Sequence, residues 1–333
     1  MGFSSMPRHG PTEPLTTCAR LWTPHTSSGA VILDVVYNHF GRRTGITSHF
    51  FQRPTSIQIG RLRWGTSLNF DGSRSGPVRA FFLMNPLYWM EHFHIDGFRL
   101  DATHEIFDES ERHILQEIAA AVRERGCYVI AEDSRNEARL IEPPEKGGYG
   151  MDAVWADDFH HVARVGQTGE SEAYYKNFQG TLGELKETLE HGWLYRGQRT
   201  TAEGEKIGTE CRHLEPSKFV HCLSNHDQAG NRAFGERISE SIAPEAYRAL
   251  SVLLCLTPYT PMLFMGQEWA ASAPFLYFTD HNQELGRFGD RGSEARVRRV
   301  CSVPGLRDPG KYSRPAVRGN LSALEVGLGP SDR

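Results

Sequence analysis

Six strand-like runs, each ending in amide, histidine or carboxylate side chains, constrain this chain more than any other feature. They are "AVILDVVYNHFG", "IDGFRLDA", "CYVIAED", "AVWADDFHH", "KFVHCLSNHDQ" and "PMLFMGQEW", with helical or polar sequence between them. Their polar ends are Asn38-His39, Asp101, Glu132-Asp133, Asp157-Asp158, Asn225-His226-Asp227 and Gln267-Glu268. Strands that alternate with helices imply parallel βα units. In a βα barrel the reactive groups come from the C-terminal ends of several different strands. The expected fold class is therefore α/β, built of parallel βα units as in a βα barrel.

One run sharpens the expectation. In "HIDGFRLDATHEI" the residues Asp96, Arg99 and Asp101 interrupt an apolar stretch that reads as a buried strand. Burying a charge is costly unless it is paired or hydrogen-bonded. Taken alone, Arg99 with an aspartate could be a structural ion pair. The recurrence of carboxylates and histidines at five further strand ends favours an active site, with Arg99 keeping Asp101 ionised from the same strand face.

Between the strands, "FFLMNPLYWMEHFH" has helical spacing at Leu83, Leu87, Met90 and Phe93, with Pro86 expected in its first turn or at a kink. "DESERHILQEIAAAVRERG" is amphipathic, with Asp108 and Glu111 as an expected cap and Gly126 as its stop. "LGELKETLEHG" and "APEAYRALSVLLCLTP" complete the helices. Residues 1–29 and the basic, Pro/Gly-rich stretch 286–333 show no periodicity, so the expected organisation is an irregular start, a barrel portion over 30–285 and an irregular extension.

Composition excludes several function classes. A formal charge of −4 gives no basic footprint for nucleic acid, and no apolar run approaches the ~18 residues of a membrane span. The first residues lack the apolar core of a secretory signal and the pattern for myristoylation. Six cysteines without CxxC spacing read as small buried hydrophobes in a reducing, cytoplasmic setting. No metal-ligand spacing, P-loop or dinucleotide fingerprint is present, so no cofactor or metal is expected. Asp157, Asp158, His160 and His161 have the composition of a metal site, but adjacent residues point apart.

Carboxylates are then the main reactive groups. Asp101 and Glu132, on consecutive strands, suit glycoside cleavage: one ionised carboxylate attacks the anomeric carbon and one protonated carboxyl donates to the leaving oxygen. A third, Asp227, can stabilise the positive charge that develops on the sugar.

At this point the residues carry a resemblance. "DVVYNH", "GFRLDA", "IAED" and "SNHD" are similar, in order and in strand position, to the four sequence regions of the α-amylase family, glycoside hydrolase family 13. The resemblance implies that Asp101 is the nucleophile, Glu132 the acid/base and Asp227 the transition-state stabiliser, with His39, Arg99 and His226 binding the sugar at the cleaved bond. It also implies retention, with the two carboxyl groups about 5–5.5 Å apart. "WADDFHH", "TGESEAYY", "HDQAGNRAFGERI" and "PMLFMGQEWAASAPFLYFTDH" resemble the branch of that family that hydrolyses maltooligosyltrehalose, releasing trehalose. That branch implies substrate contacts from His104, Asp157, Asp158, Phe159, His160, His161, Gln228, Asn231 and Arg232. Trp155 and Phe159 are the expected sugar platforms, Tyr174 and Trp269 are expected in the core, and Glu268 is a weaker substrate-proximal candidate. The match starts at the third barrel strand, which implies an incomplete barrel without the first two βα units and the flanking β-domains. A glucan-branching transferase is the rival within the family, against which "SNHDQ" speaks; a fragment that binds glucan without acting on it is the rival outside catalysis.

Overall fold

The computed structural model describes residues 29–41, 61–62, 65–202, 204–232 and 234–277. The irregular start, apart from residue 29, and the extension over 286–333 lie outside the described residues, as does the expected boundary at 285.

The first strand is β1 (Ile32–Val35). A small antiparallel sheet follows it, built from β2 (His39–Gly41), β3 (Arg61–Leu62) and β4 (Gly65–Ser67). The main sheet continues with β5 (Gly97–Leu100), β6 (Tyr128–Glu132), β7 (Ala153–Trp155), β8 (Phe219–Cys222) and β9 (Thr260–Met262). Its six strands lie in the order β1-β5-β6-β7-β8-β9, and every neighbouring pair is parallel. This is the sheet of an incomplete (β/α)8 barrel. No helix among the described residues is long and apolar enough to cross a membrane.

Alternation along the strands sorts side chains onto two faces. The register aligns Val35, Leu100, Ala131 and Val154 across four strands. With Phe98, Val129 and Phe219 these residues form the main core against the helices. Phe98 and Leu100 are fully buried there, each contributing about 1.5–3 kcal/mol relative to exposure. The opposite face carries Asp34, Arg99, Ile130 and Ala153 in one register row and Glu132, Trp155 and Val220 in another. Its apolar part is small, comprising Ala153, Trp155 and Val220 with Ile130 and Met262 packed on them. The sheet thus keeps one greasy face for folding and one mixed face that delivers charge to its C-terminal end.

The helices are α1 (Ser75–Phe93), α2 (Ile114–Arg123), α3 (Asp158–Thr168), α4 (Leu182–His191), α5 (His226–Gly230), α6 (Ile238–Ser241) and α7 (Pro244–Leu256). Three expectations need correction. Helix α1 starts at Ser75, so Pro77 occupies its first turn and Pro86 is a buried interior residue. Helix α2 starts at Ile114 with His113 as N-cap, its ring accepting from the Leu115 amide. Asp108 nonetheless serves this terminus, accepting from the Ile114 amide at 2.6 Å while paired with Arg79. The run "AVWADDFHH" is strand only to Trp155; from Asp158 it is helix.

Candidate active site

The charged residues of β5 and its neighbours meet around one guanidinium. Arg99 is 3% exposed, and its Nη1 lies 2.6 Å from Asp34 on β1 and 2.9 Å from Asp101. Its Nη2 lies 2.6 Å from Glu132 at the end of β6. The flat of the guanidinium sits 4.1 Å from the Trp155 ring centroid. Taking an ion out of water costs several kcal/mol even after relaxation, and only good geometry with several partners offsets it. Three carboxylates and a π face supply those partners and hold Asp101 and Glu132 to one short span.

Asp101 is fixed from its other side as well. Asn38 Nδ2 donates to its backbone carbonyl at 2.8 Å and to its carboxylate at 3.0 Å. His39 Nδ1 in turn donates to Asn38 Oδ1. Burial lowers the His39 pKa, with Asp101 and Glu105 opposing the shift.

Glu132 is set apart by its surroundings. Burial raises its pKa to about 8, against Arg99 and the Ala102 amide and with help from the Asp101 and Asp157 charges. The Ala102 amide donates to Glu132 at 2.8 Å from a left-handed backbone (φ 40) that aims the N–H at the carboxyl. Thr103 clamps the same strand end, donating near Glu132 O and to buried Asp133 at 3.0 and 2.8 Å. Asp101 and Glu132 therefore differ in their surroundings: the Asp101 side chain is 27% exposed, whereas Glu132 is 17% exposed and burial pushes it toward the protonated form. Such a division is what acid/base chemistry requires.

Asp227 stands in the first turn of α5, whose N-cap Asn225 forms a capping box with Gln228. Its Oδ1 accepts from Asn231 at 3.3 Å and from the Tyr277 hydroxyl at 3.1 Å, and His226 lies 3.7 Å away. The His226 ring also meets the Trp155 edge.

The structure divides the remaining expected contacts. Asp158 is buried, and its carboxylate accepts from Asn136 Nδ2 and the Leu194 and Tyr195 amides at 2.7–3.1 Å; it fastens the segment beyond α4. Phe159 is fully buried and stacked on His221, so it is core and no sugar platform. His160 is fully buried, with its Nε2 3.1 Å from Asp157. Gln228 is 8% exposed and its amide oxygen caps the Asn225 amide. Arg232 is tied into ion pairs with Glu170 and Glu236. Asp157, with a quarter of its side chain exposed, and the half-buried His161 and His104 keep access to solvent. Although burial opposes it, His160, His161 and Arg99 hold Asp157 below the usual carboxylate range. Tyr174, expected in the core, is 47% exposed beside His161. Trp269 is exposed too.

Two contributors were not singled out in the sequence. Asp34 lies in the same run as Asn38 and His39, and its signal was polarity within an otherwise apolar strand. Tyr277, some 50 residues from Asp227, lies within the last of the quoted motifs, with nothing local to link it to Asp227.

No protein-family model matches the chain. It is 39% identical over 285 residues to the malto-oligosyltrehalose trehalohydrolase of Saccharolobus solfataricus, covering 84% of this chain and 50% of that one. It is 40% identical over 274 residues to the enzyme of the same name from Deinococcus radiodurans, covering 80% and 44%. Among solved structures it resembles a candidate α-amylase from Salmonella typhimurium, with a TM-score of 0.72 and 35% identity over 84% of this chain and 48% of that one. The chain spans about half the length of the curated relatives it matches.

Proposed function

We propose, for a chain that belongs to the α-amylase family (glycoside hydrolase family 13), that the whole protein is a retaining glycosidase. Its reaction in this reading cleaves the α-1,4 bond next to the terminal trehalose of maltooligosyltrehalose, releasing trehalose. The observation that carries the reading is the pair of carboxyl groups on one buried guanidinium, Asp101 at 2.9 Å and Glu132 at 2.6 Å, with burial pushing Glu132 toward its protonated form. Similarity of 36–40% identity to trehalohydrolases supports the substrate.

In this reading Glu132 gives its proton to the glycosidic oxygen while Asp101 attacks the anomeric carbon, forming a glycosyl-enzyme and freeing trehalose. Water deprotonated by Glu132 then displaces Asp101 and yields the shortened maltooligosaccharide. Asp227 faces the charge that builds on the sugar ring between these states, and His39 and His226 bind its hydroxyls. Within the expected specificity block, Asp157 and His161 are the candidates for reading the trehalose end, since Asp158, Phe159 and His160 are enclosed. A cytoplasmic setting belongs to the same reading, supported by the free thiols of buried Cys211 and Cys222.

The test is product analysis with the full-length protein. Maltooligosyltrehalose is expected to give trehalose and a shortened maltooligosaccharide, and Asp101→Asn is expected to lower kcat by roughly 10⁴-fold or more. Branched glucan from amylose in place of trehalose would overturn the substrate, and an active Asp101→Asn would overturn the mechanism.

A further inference from the structure

Of the three carboxylates, Asp227 is the most exposed, at 37% against 27% for Asp101 and 17% for Glu132. It also sits on a helix of only five residues. Its placement leans on a segment far along the chain. After β9 the backbone returns across the α5–α6 region, where the Phe275 amide donates to Gly235 O at 2.8 Å. Arg237 holds the same return, donating to Ala273 O at 2.8 Å and Met265 O at 2.7 Å. This strap brings the Tyr277 hydroxyl 3.1 Å from Asp227 Oδ1 and 3.2 Å from His226 O.

Two glycines make the approach possible. A Cβ on Gly230 would lie 2.6 Å from the Tyr277 ring, and one on Gly235 would lie 2.2 Å from Phe275 O. The side chain is thus seated on bare backbone at the last residue of α5, one turn beyond Asp227.

We propose that Tyr277 is a positioning residue for Asp227, its phenol fixing where that carboxylate stands and keeping it turned toward the sugar site. This rests on the reading of Asp227 as the group that faces developing positive charge. A single phenol proton cannot serve both nearby acceptors fully, and the charged one is the stronger partner. Burial, then the charge of Asp227 and the hydrogen bond to it, raise the Tyr277 pKa, so the phenol stays a donor through the neutral range. His226 faces Asp227 from its own helix, and Tyr174 and Asp101 are the further charged or titrating groups near the phenol.

In the full-length protein, Tyr277→Phe is expected to lower kcat about tenfold with KM within about twofold and an unchanged melting temperature. Gly230→Ala keeps the hydroxyl but drives the ring away, and is expected to reproduce the kcat loss. The spectroscopic arm uses tyrosine labelled with carbon-13 at Cζ, with the Tyr277 resonance identified by its absence in Tyr277→Phe. That resonance is expected to titrate above the usual ~10 and to move down by roughly a pH unit in Asp227→Asn. An unshifted titration in Asp227→Asn, or a wild-type kcat in Tyr277→Phe while Asp101→Asn is inactive, overturns the proposal. An active Asp101→Asn instead overturns the functional reading, and the titration then decides the contact by itself.

Discussion

Two clusters of acidic residues lie one strand apart and meet opposite fates. At the ends of β5 and β6, Asp101 and Glu132 share Arg99 and keep an open side. At the start of α3, Asp158 is buried and its Oδ2 accepts from three protein donors. Burial raises both Glu132 and Asp158, to about 8 and about 6. What separates them is exposure, since Glu132 keeps 17% of its side chain open while Asp158 is buried. A perturbed carboxyl group therefore marks this candidate site only where it can still meet a ligand.

Removing the shared guanidinium should have the largest effect. Arg99→Ala leaves three carboxylates without their central cation, and breaking a buried pair in this way costs about 3–5 kcal/mol. Urea unfolding of the full-length variant should show that loss together with loss of turnover. A cost below about 1 kcal/mol would mean that the carboxylates are held by other means.

Asp158→Ala is expected to cost less, about 1–3 kcal/mol, because Asn136 and the Leu194 and Tyr195 amides lose their acceptor. Its kinetic signature should be indiscriminate, with activity on maltooligosyltrehalose and on plain maltooligosaccharide falling together. A selective loss on the trehalose-ended substrate would return Asp158 to the sugar. The raised pKa also sets a pH dependence. Between the unfolded value near 3.8 and about 6 the folded state binds more protons, so this group's contribution weakens stability as pH rises through that window. Asp158→Asn should remove that slope.

The smallest effect separates the clusters by activity. Glu132 must carry its proton to act as acid, and its pKa near 8 places the alkaline limb of kcat/KM there, with half the activity left at the midpoint. Asp158, buried and titrating near 6, should leave that limb unmoved in Asp158→Asn. A limb that shifts in this variant would join the two clusters into one unit.

Much of this was legible in the sequence for a physical reason. A buried parallel strand reads as a short apolar run, so charged residues such as Arg99 within β5 and Asp101 just after it stand out. The ends of those runs placed Asp101, Glu132 and Asp227 at one edge of the sheet. The start of α1 was not legible, because Ser75, Gly76 and Pro77 read as loop although Pro is favoured in a first helical turn. The fate of "DDFHH" depended on where β7 stops. Ending the strand at Trp155 turns Asp158 toward Leu194 and Tyr195, a contact that local periodicity cannot report. Tyr277 depended on a strap whose path is set by two missing Cβ atoms far away in sequence.

The most direct measurement of the central claim is the anomeric configuration of the first product. The full-length protein would be followed by proton NMR as it cleaves maltooligosyltrehalose, before mutarotation blurs the signal. An Asp101 nucleophile paired with a Glu132 acid predicts that the new reducing end of the maltooligosaccharide appears first as the α anomer, with the β anomer growing in later. Initial appearance of the β anomer would mean a single displacement by water, and would contradict the roles assigned to the two carboxyl groups on Arg99.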